Sequence, residues 1–315
     1  MSPGTGELLD PAGAPARSAP AVTPASRPVR AAQVACSVVA LAQTGGRTYR
    51  AAFFDLRSGW EQRQLWGHLG WQDIRQRYRR SVLGPIWISI TMAVTAIALG
   101  ILYAGLFQND LSVQLPNILV GFIIWGFIAG CIGEGAEVFI ANVGLITHLP
   151  APLSVHIYRL VWRQTLFFLH NLVVYLVMLI VFPQHLHWSD LSAFPAFGLL
   201  VLNGAWVALL LGIVTTRFRD LAPIIQSIVQ LAFFLTPIVW IYQTFLNSPN
   251  PAIAQRARLA ELNPFLHFVE MVRRPMLGQP QELRFWVVVV CITVVGWALT
   301  LFVLRRYRSR VSYWV

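Results

Sequence analysis

From Ile86 to Phe107 the chain carries no ionisable side chain except Tyr103. That stretch is about the length of the ~20 apolar residues a helix needs to cross a ~30 Å hydrocarbon layer. Immediately before it stand Arg75, Arg77, Arg79 and Arg80, four arginines within six positions. A chain with such a junction leaves water there and enters lipid. Inside lipid each backbone N–H and C=O must find a partner within the protein, which restricts the fold to helices or a closed barrel. Runs of this length select helices.

Composition agrees. The chain is 56% hydrophobic and 12% charged, with a mean hydropathy of +0.59, whereas soluble domains carry about a quarter of their residues as charges. The net charge of +11 argues against nucleic acid as a partner, because the arginines flank apolar runs instead of forming a solvated basic face. They are topology signals and contacts to lipid headgroups. No lysine occurs anywhere in the sequence. A P-loop ATP site needs a lysine on the β/γ-phosphates, so this chain holds no cofactor of that kind itself, and ATP-driven work requires a separate ATPase that binds ATP and Mg. Cys36, Cys131 and Cys291 are an odd set, and His185 and His187 have no carboxylate or thiol at ligand spacing. Neither a disulfide framework nor a metal site is expected.

Residues 1–59 read as a disordered or loosely ordered tail, rich at first in Pro, Ala, Ser and Gly; residues 60–315 form the membrane domain. Between Trp60 and Arg80 the spacing places Trp71, Ile74 and Tyr78 on one helical face, with Asp73 four residues before Arg77 as a helix-stabilising pair. This predicts an amphipathic helix lying in the interface. Six spans follow, at roughly 86–107, 116–136, 157–182, 193–214, 222–243 and 285–304. The fold is therefore all-α, and an even number of spans places both termini on one side. Arg75 to Arg80, Arg217 with Arg219, and Arg305 to Arg310 mark that side as cytoplasmic. The connection 244–284 conflicts with this rule. It must be external, yet it holds Arg256, Arg258, Arg273, Arg274 and Arg284. Phe265, Phe268, Val269, Val272 and Met276 suggest a short amphipathic surface or re-entrant helix there, capped by Asn263 with Pro264 in its first turn.

Four ordered motifs carry a resemblance: the junction ending in Gly84, Pro85 and Trp87; Arg217-Phe218-Arg219-Asp220; Pro237 inside the fifth span; and Asn263-Pro264 followed by Arg273-Arg274. In order and spacing, from about Trp66 to Arg306, the chain resembles the permease subunits of type-2 ABC exporters of the kind that carry O-antigen, capsule or teichoic-acid polysaccharide. The resemblance implies two copies of the chain enclosing a path across the bacterial inner membrane. It also implies a partner ATPase docked on the connection between spans two and three, and a lipid-linked polysaccharide as substrate. Asn142, Leu145, Ile146, His148 and Pro150 then form the coupling segment, with His148 standing where the family usually has a basic residue.

Several expectations follow. Arg75, Arg77, Arg79 and Arg80 are candidates to hold carrier-lipid phosphate. Sugar rings stack on aromatic rings, which makes Tyr103, Phe107, Trp125, Phe233, Phe234, Trp240 and Tyr242 candidates for the glycan path, against the alternative that such rings populate interfacial belts. Glu134 and Glu137 face Arg159 and Arg163 as pairs at the cytoplasmic boundary. Pro237 should break and bend the fifth span. Asp220 reads as a cap or salt-bridge partner. Competing readings are a type-2 permease for a drug or small lipid, and a membrane-embedded glycosyl or acyl transferase using the scattered Asp110, Asp190, Glu261, Glu270 and Glu282.

Overall fold

The computed structural model describes residues 48–79, 84, 86–148, 151–184 and 187–315. Most of the expected tail, together with Arg80, Pro85 and Pro150, lies outside the described residues. Within them the chain is helical: α1 (Tyr49–Glu61), α2 (Arg63–Arg77), α3 (Ile86–Phe107), α4 (Leu111–Glu137), α5 (Val143–His148), α6 (Leu153–Val181), α7 (Ala193–Arg217), α8 (Leu221–Leu235), α9 (Tyr242–Leu246), α10 (Pro251–Leu259), α11 (Pro264–Met276) and α12 (Leu283–Trp314). A 3₁₀ turn, Trp188–Ser192, leads into α7. Helix α1 falls inside the stretch expected to be loosely ordered, because its sequence offers a polar anchor, Asp55, that composition alone does not reveal.

Five helices, α3, α4, α6, α7 with its preceding turn, and α12, are long and apolar enough to cross a membrane. Helix α4 is the axis. It packs against α3, α6, α7, α8 and α11, and its apolar window is 72% buried, against 17% for α3. Close approach depends on small residues: a Cβ on Gly135 would lie 2.7 Å from the Ala208 Cα of α7, so a side chain there would push the two helices apart.

The expected fifth span, 222–243, is not continuous. Helix α8 has 15 residues, about 22 Å at 1.5 Å per residue, which falls short of a ~30 Å core. Thr236, driven out of the helical region by the proline that follows, sits at φ −90°, ψ 136°. The chain then continues without helix to Ile241. This segment is a turn, closed by Ile238 N–H donating to the Thr236 carbonyl at 2.7 Å. Gln226 of α8 lies beside Gly133 of α4, and beyond the turn Val239 reaches Gln114 near the other end of α4.

The arginine-rich end gathers α1, α2, α5 and the near ends of α4, α6, α7 and α12. Asp55 of α1 is 4% exposed. Its carboxylate accepts the Ser154 N–H (3.1 Å), its own carbonyl accepts the Ser154 hydroxyl (2.7 Å), and Arg308 of α12 lies 3.4 Å away. The α6 N-terminus begins after Pro152, which has no side-chain acceptor, so Asp55 supplies the cap from another helix. Burial pushes its carboxyl above the usual carboxylate range, opposed by Ser154 and Arg308.

Candidate functional site

Where α2 meets α4 and α6, the charges expected at the cytoplasmic boundary converge with a different pairing. Asp73 does not serve Arg77. It accepts two bonds from Arg159, one of them 2.8 Å from Nε, and a third from Arg163 Nη1 at 2.8 Å. Glu134 pairs with Arg163 and accepts Gln164 Nε2 at 2.8 Å, leaving Arg77 at 3.7 Å from its second oxygen. Helix α2 approaches closely enough because Gly70 lies against Trp162 and the Arg159 carbonyl. Ile74 is the buried apolar residue of that face, while Trp71 is 56% exposed. So α2 docks on the protein through Gly70, Asp73 and Ile74, with Trp71 turned away, in place of the expected Trp71–Ile74–Tyr78 face. Glu137 is exposed and lines, with Arg77, His156 and Arg159, a cavity of about 270 Å³.

The same network reaches the connection between α4 and α6. Arg159 Nη1 donates to Asn142 Oδ1 (3.1 Å), and Asn142 Nδ2 donates back to the Val138 carbonyl (2.7 Å). Asn142, half-buried, is thus tied to α6 and to α4 just ahead of α5. Ile146 packs on the core and Leu145 is half-buried, whereas Gly144, Thr147 and His148 are exposed. Arg75 and Arg79 are exposed beside the junction, and Gly84 turns the chain with φ 56°, a left-handed conformation that suits glycine. Trp87 is 53% exposed. Arg219 donates to the Trp314 carbonyl at 3.4 Å. Asp220 occupies the N-cap of α8, but its side chain makes no cap hydrogen bond, since its backbone is already helical and turns the carboxylate away from the first-turn N–H groups.

At the opposite end the non-helical segment after Thr236 is held by side chains. Arg273 donates to the Pro237 carbonyl (2.9 Å), Gln114 to the Val239 carbonyl (2.7 Å) and Asn263 to the Thr236 hydroxyl (2.9 Å). Irregular backbone at membrane depth is tolerated only where protein supplies these partners. Room for Arg273 comes from Gly121, where a Cβ would meet the Ile238 carbonyl at 3.2 Å. Asn263 also caps α11 through Phe265 N at 3.0 Å, with Pro264 following, as the sequence predicts.

Ion pairs around helix α11 account for three of the five arginines of this loop, while Arg256 and Arg258 are exposed on α10. Arg273 and Arg274, 2% and 3% exposed, flank the buried Glu270, and Arg274 reaches Glu282 at 2.7 Å and the Pro280 carbonyl at 3.0 Å. Arg284 pairs with Glu261 (2.7 Å) and with Glu282. Burial raises the Glu270 carboxyl, but the two guanidiniums outweigh it and hold it below the usual range. The Tyr242 hydroxyl, followed by Arg284, keeps Glu261 low as well. Arg273 and Arg274 are internal ion-pair partners and carry little weight as topology signals, while Arg284 is an exposed partner of Glu261 and Glu282. The carboxylates weighed for transferase chemistry, Glu261, Glu270 and Glu282, are the other halves of those pairs.

The candidate aromatics divide into two ring chains at this end. Tyr103 stacks on Phe107 (5.4 Å), and Phe245 bridges Phe107 to Trp240 at 5.1 and 5.2 Å. Trp125 meets Phe233 and Phe265 at 5.9 and 5.5 Å, and Phe233 meets Phe234 at 5.3 Å. Phe234 is 68% exposed, while Trp125 is buried. Tyr242 is 1% exposed and engages Glu261, which removes it from any open path. Gln226, Ser227 and Gln230, unremarked in the sequence, are exposed on the otherwise apolar α8. Two amides four residues apart on a short apolar helix were the signal available.

A bundle of apolar helices with a charged network tied to a short interhelical segment at one end and buried ion pairs at the other marks a multi-pass membrane protein. Residues 64–277 match the model of the ABC-2 type transporter family, and the chain belongs to that family. Among curated proteins it is similar to the O-antigen export system permease protein RfbA of Klebsiella pneumoniae, 26% identical over 54% of this chain and 66% of that protein. It is also similar to the protein of the same name from Myxococcus xanthus, 24% identical over 67% of this chain and 79% of the relative.

Proposed function

We propose that the chain is the permease subunit of an ATP-driven exporter that moves a lipid-linked polysaccharide outward across the bacterial inner membrane, with both termini cytoplasmic. The observation that carries the reading is the exposed face of α8, where Gln226, Ser227 and Gln230 lead to Phe234. Polar groups in a membrane helix are stable against protein or water, not against lipid. Amides followed by aromatic rings match the hydroxyl edges and C–H faces of a sugar chain. Two copies, with their α3 and α8 faces opposed, would enclose such a path.

The printed names of the relatives support the substrate class, and the family supports an ABC ATPase as partner. That ATPase would bind ATP and Mg and push on Thr147 and His148, with Asn142 and Arg159 passing the displacement to α2 and α6. Arg75 and Arg79, exposed beside the first span, would meet the carrier-lipid phosphate. The test is a deletion strain complemented with wild type or with Gln226→Leu/Gln230→Leu. Surface glycan should vanish in the deletion, return with the wild type and fall at least severalfold with the variant at equal membrane abundance. Surface glycan unchanged in the deletion refutes the reading.

A further inference from the structure

Between α7 and α12 at the arginine-rich end lies a crevice of about 840 Å³ that no step above uses. Its upper walls are apolar, formed by Ile213, Val214 and Val303, and its mouth carries Arg217 and Arg310. Both arginines are exposed, and no carboxylate lines the crevice among the described residues. The Arg217 guanidinium lies over the Trp314 ring at 5.2 Å, which holds it at the rim. Tyr307 also lines the space, as do Ser309 and Tyr313.

An apolar slot between two spanning helices, closed below by guanidiniums at the level where the chain meets water, complements an amphipathic anion. We propose that this crevice binds one anionic phospholipid, with an acyl chain along Val214 and Val303 and its phosphate between Arg217 and Arg310. Basic pockets between membrane helices on this side suit such headgroups, and planar guanidinium donors match phosphate oxygens. The volume falls within the range of about 300–1,000 Å³ usual for small-molecule sites. The assignment is independent of the exported substrate and rests on the cytoplasmic termini proposed above.

The test is native mass spectrometry of the purified full chain, delipidated and titrated with phosphatidylglycerol or phosphatidylcholine. One phosphatidylglycerol should bind in preference to phosphatidylcholine. Each surface arginine contributes about fivefold to attraction for an anionic lipid, so Arg217→Gln/Arg310→Gln should weaken it about 25-fold. Arg256→Gln/Arg258→Gln at the other end should leave it unchanged. Val214→Trp keeps both arginines, fills the slot and should also abolish binding, which keeps the test valid if the double variant does not fold. Equal binding of the two lipids, retention by Val214→Trp, or displacement by inorganic phosphate alone overturns the proposal. Displacement by a polyprenyl phosphate at concentrations where phosphatidylglycerol fails to compete also overturns it, assigning the crevice to a carrier lipid.

Discussion

Replacing Glu270 by Gln tests whether the buried ion pairs of α11 hold the turn that follows α8. Arg274 would keep Glu282 at 2.7 Å, the Pro280 carbonyl at 3.0 Å and the Phe285 ring at 4.9 Å. Arg273, 2% exposed, would lose its one charged partner among the described residues and keep the Pro237 carbonyl at 2.9 Å. The cost therefore falls on Arg273 and on the segment it anchors. Removing one partner of a buried pair costs about 3–5 kcal/mol, and at 1.4 kcal/mol per tenfold that raises local opening roughly 150- to 4,000-fold. Gln retains an acceptor, which places Glu270→Gln near the lower bound and Glu270→Ala near the upper. Hydrogen exchange of the backbone from Thr236 to Ile241 reads the opening directly. Adding Arg273→Gln should restore part of the protection, because it removes the unpaired charge and still donates to Pro237. Protection equal to wild type in Glu270→Gln would refute the reasoning. The pH dependence has a definite sign. Glu270 titrates below its ordinary value of 4.5 in the folded chain, so its contribution is full above that value and is lost as pH falls through the lower folded value. Protection should be flat from neutral pH to about 5 and decline only in stronger acid.

Asp55→Ala removes the cap that α1 gives to α6 and should cost about 1 kcal/mol, read as a lower melting temperature in detergent and faster proteolysis of α1. Asp55→Asn keeps an acceptor for Ser154 and should lose less. Gly135→Ala drives a methyl to 2.7 Å from the Ala208 backbone and should be strongly destabilising, whereas Gly126→Ala meets nothing within 4 Å and should be neutral or stabilising by about 0.5–1 kcal/mol; thermal unfolding compares the two. Asn142→Ala leaves Arg159 bound to Asp73 but cuts its link to α5. Export by the complete transporter should fall while ATP hydrolysis persists, measured together in proteoliposomes, and proportional loss of both would reject Asn142 as a joint.

The all-helical class of the fold was legible from the chain alone, and five of the six expected spans are helices long enough to cross, while the expected 222–243 span is a 15-residue helix that stops at Leu235. Hydrocarbon cannot hydrogen-bond a backbone, and uncharged runs such as Ile86–Phe107 leave few structures open. Local rules also carried through: Asn263-Pro264 starts α11 because a side-chain acceptor followed by fixed φ needs no distant help. Asp73 and Arg77 show where such rules stop. Their i,i+4 spacing predicted a pair, but Arg159 and Arg163 arrive from α6 with better geometry and exclude more water, so Asp73 turned to them. Arg273 and Arg274 likewise read as external charges until burial placed Glu270 between them. Pro237 was visible as a helix breaker, while Gln114, Gly121 and Arg273, which make the break tolerable, lie far apart in sequence. Spacing along one helix settles which elements form. Which buried polar group satisfies which other one depends on helix approach, and tertiary packing alone decides that.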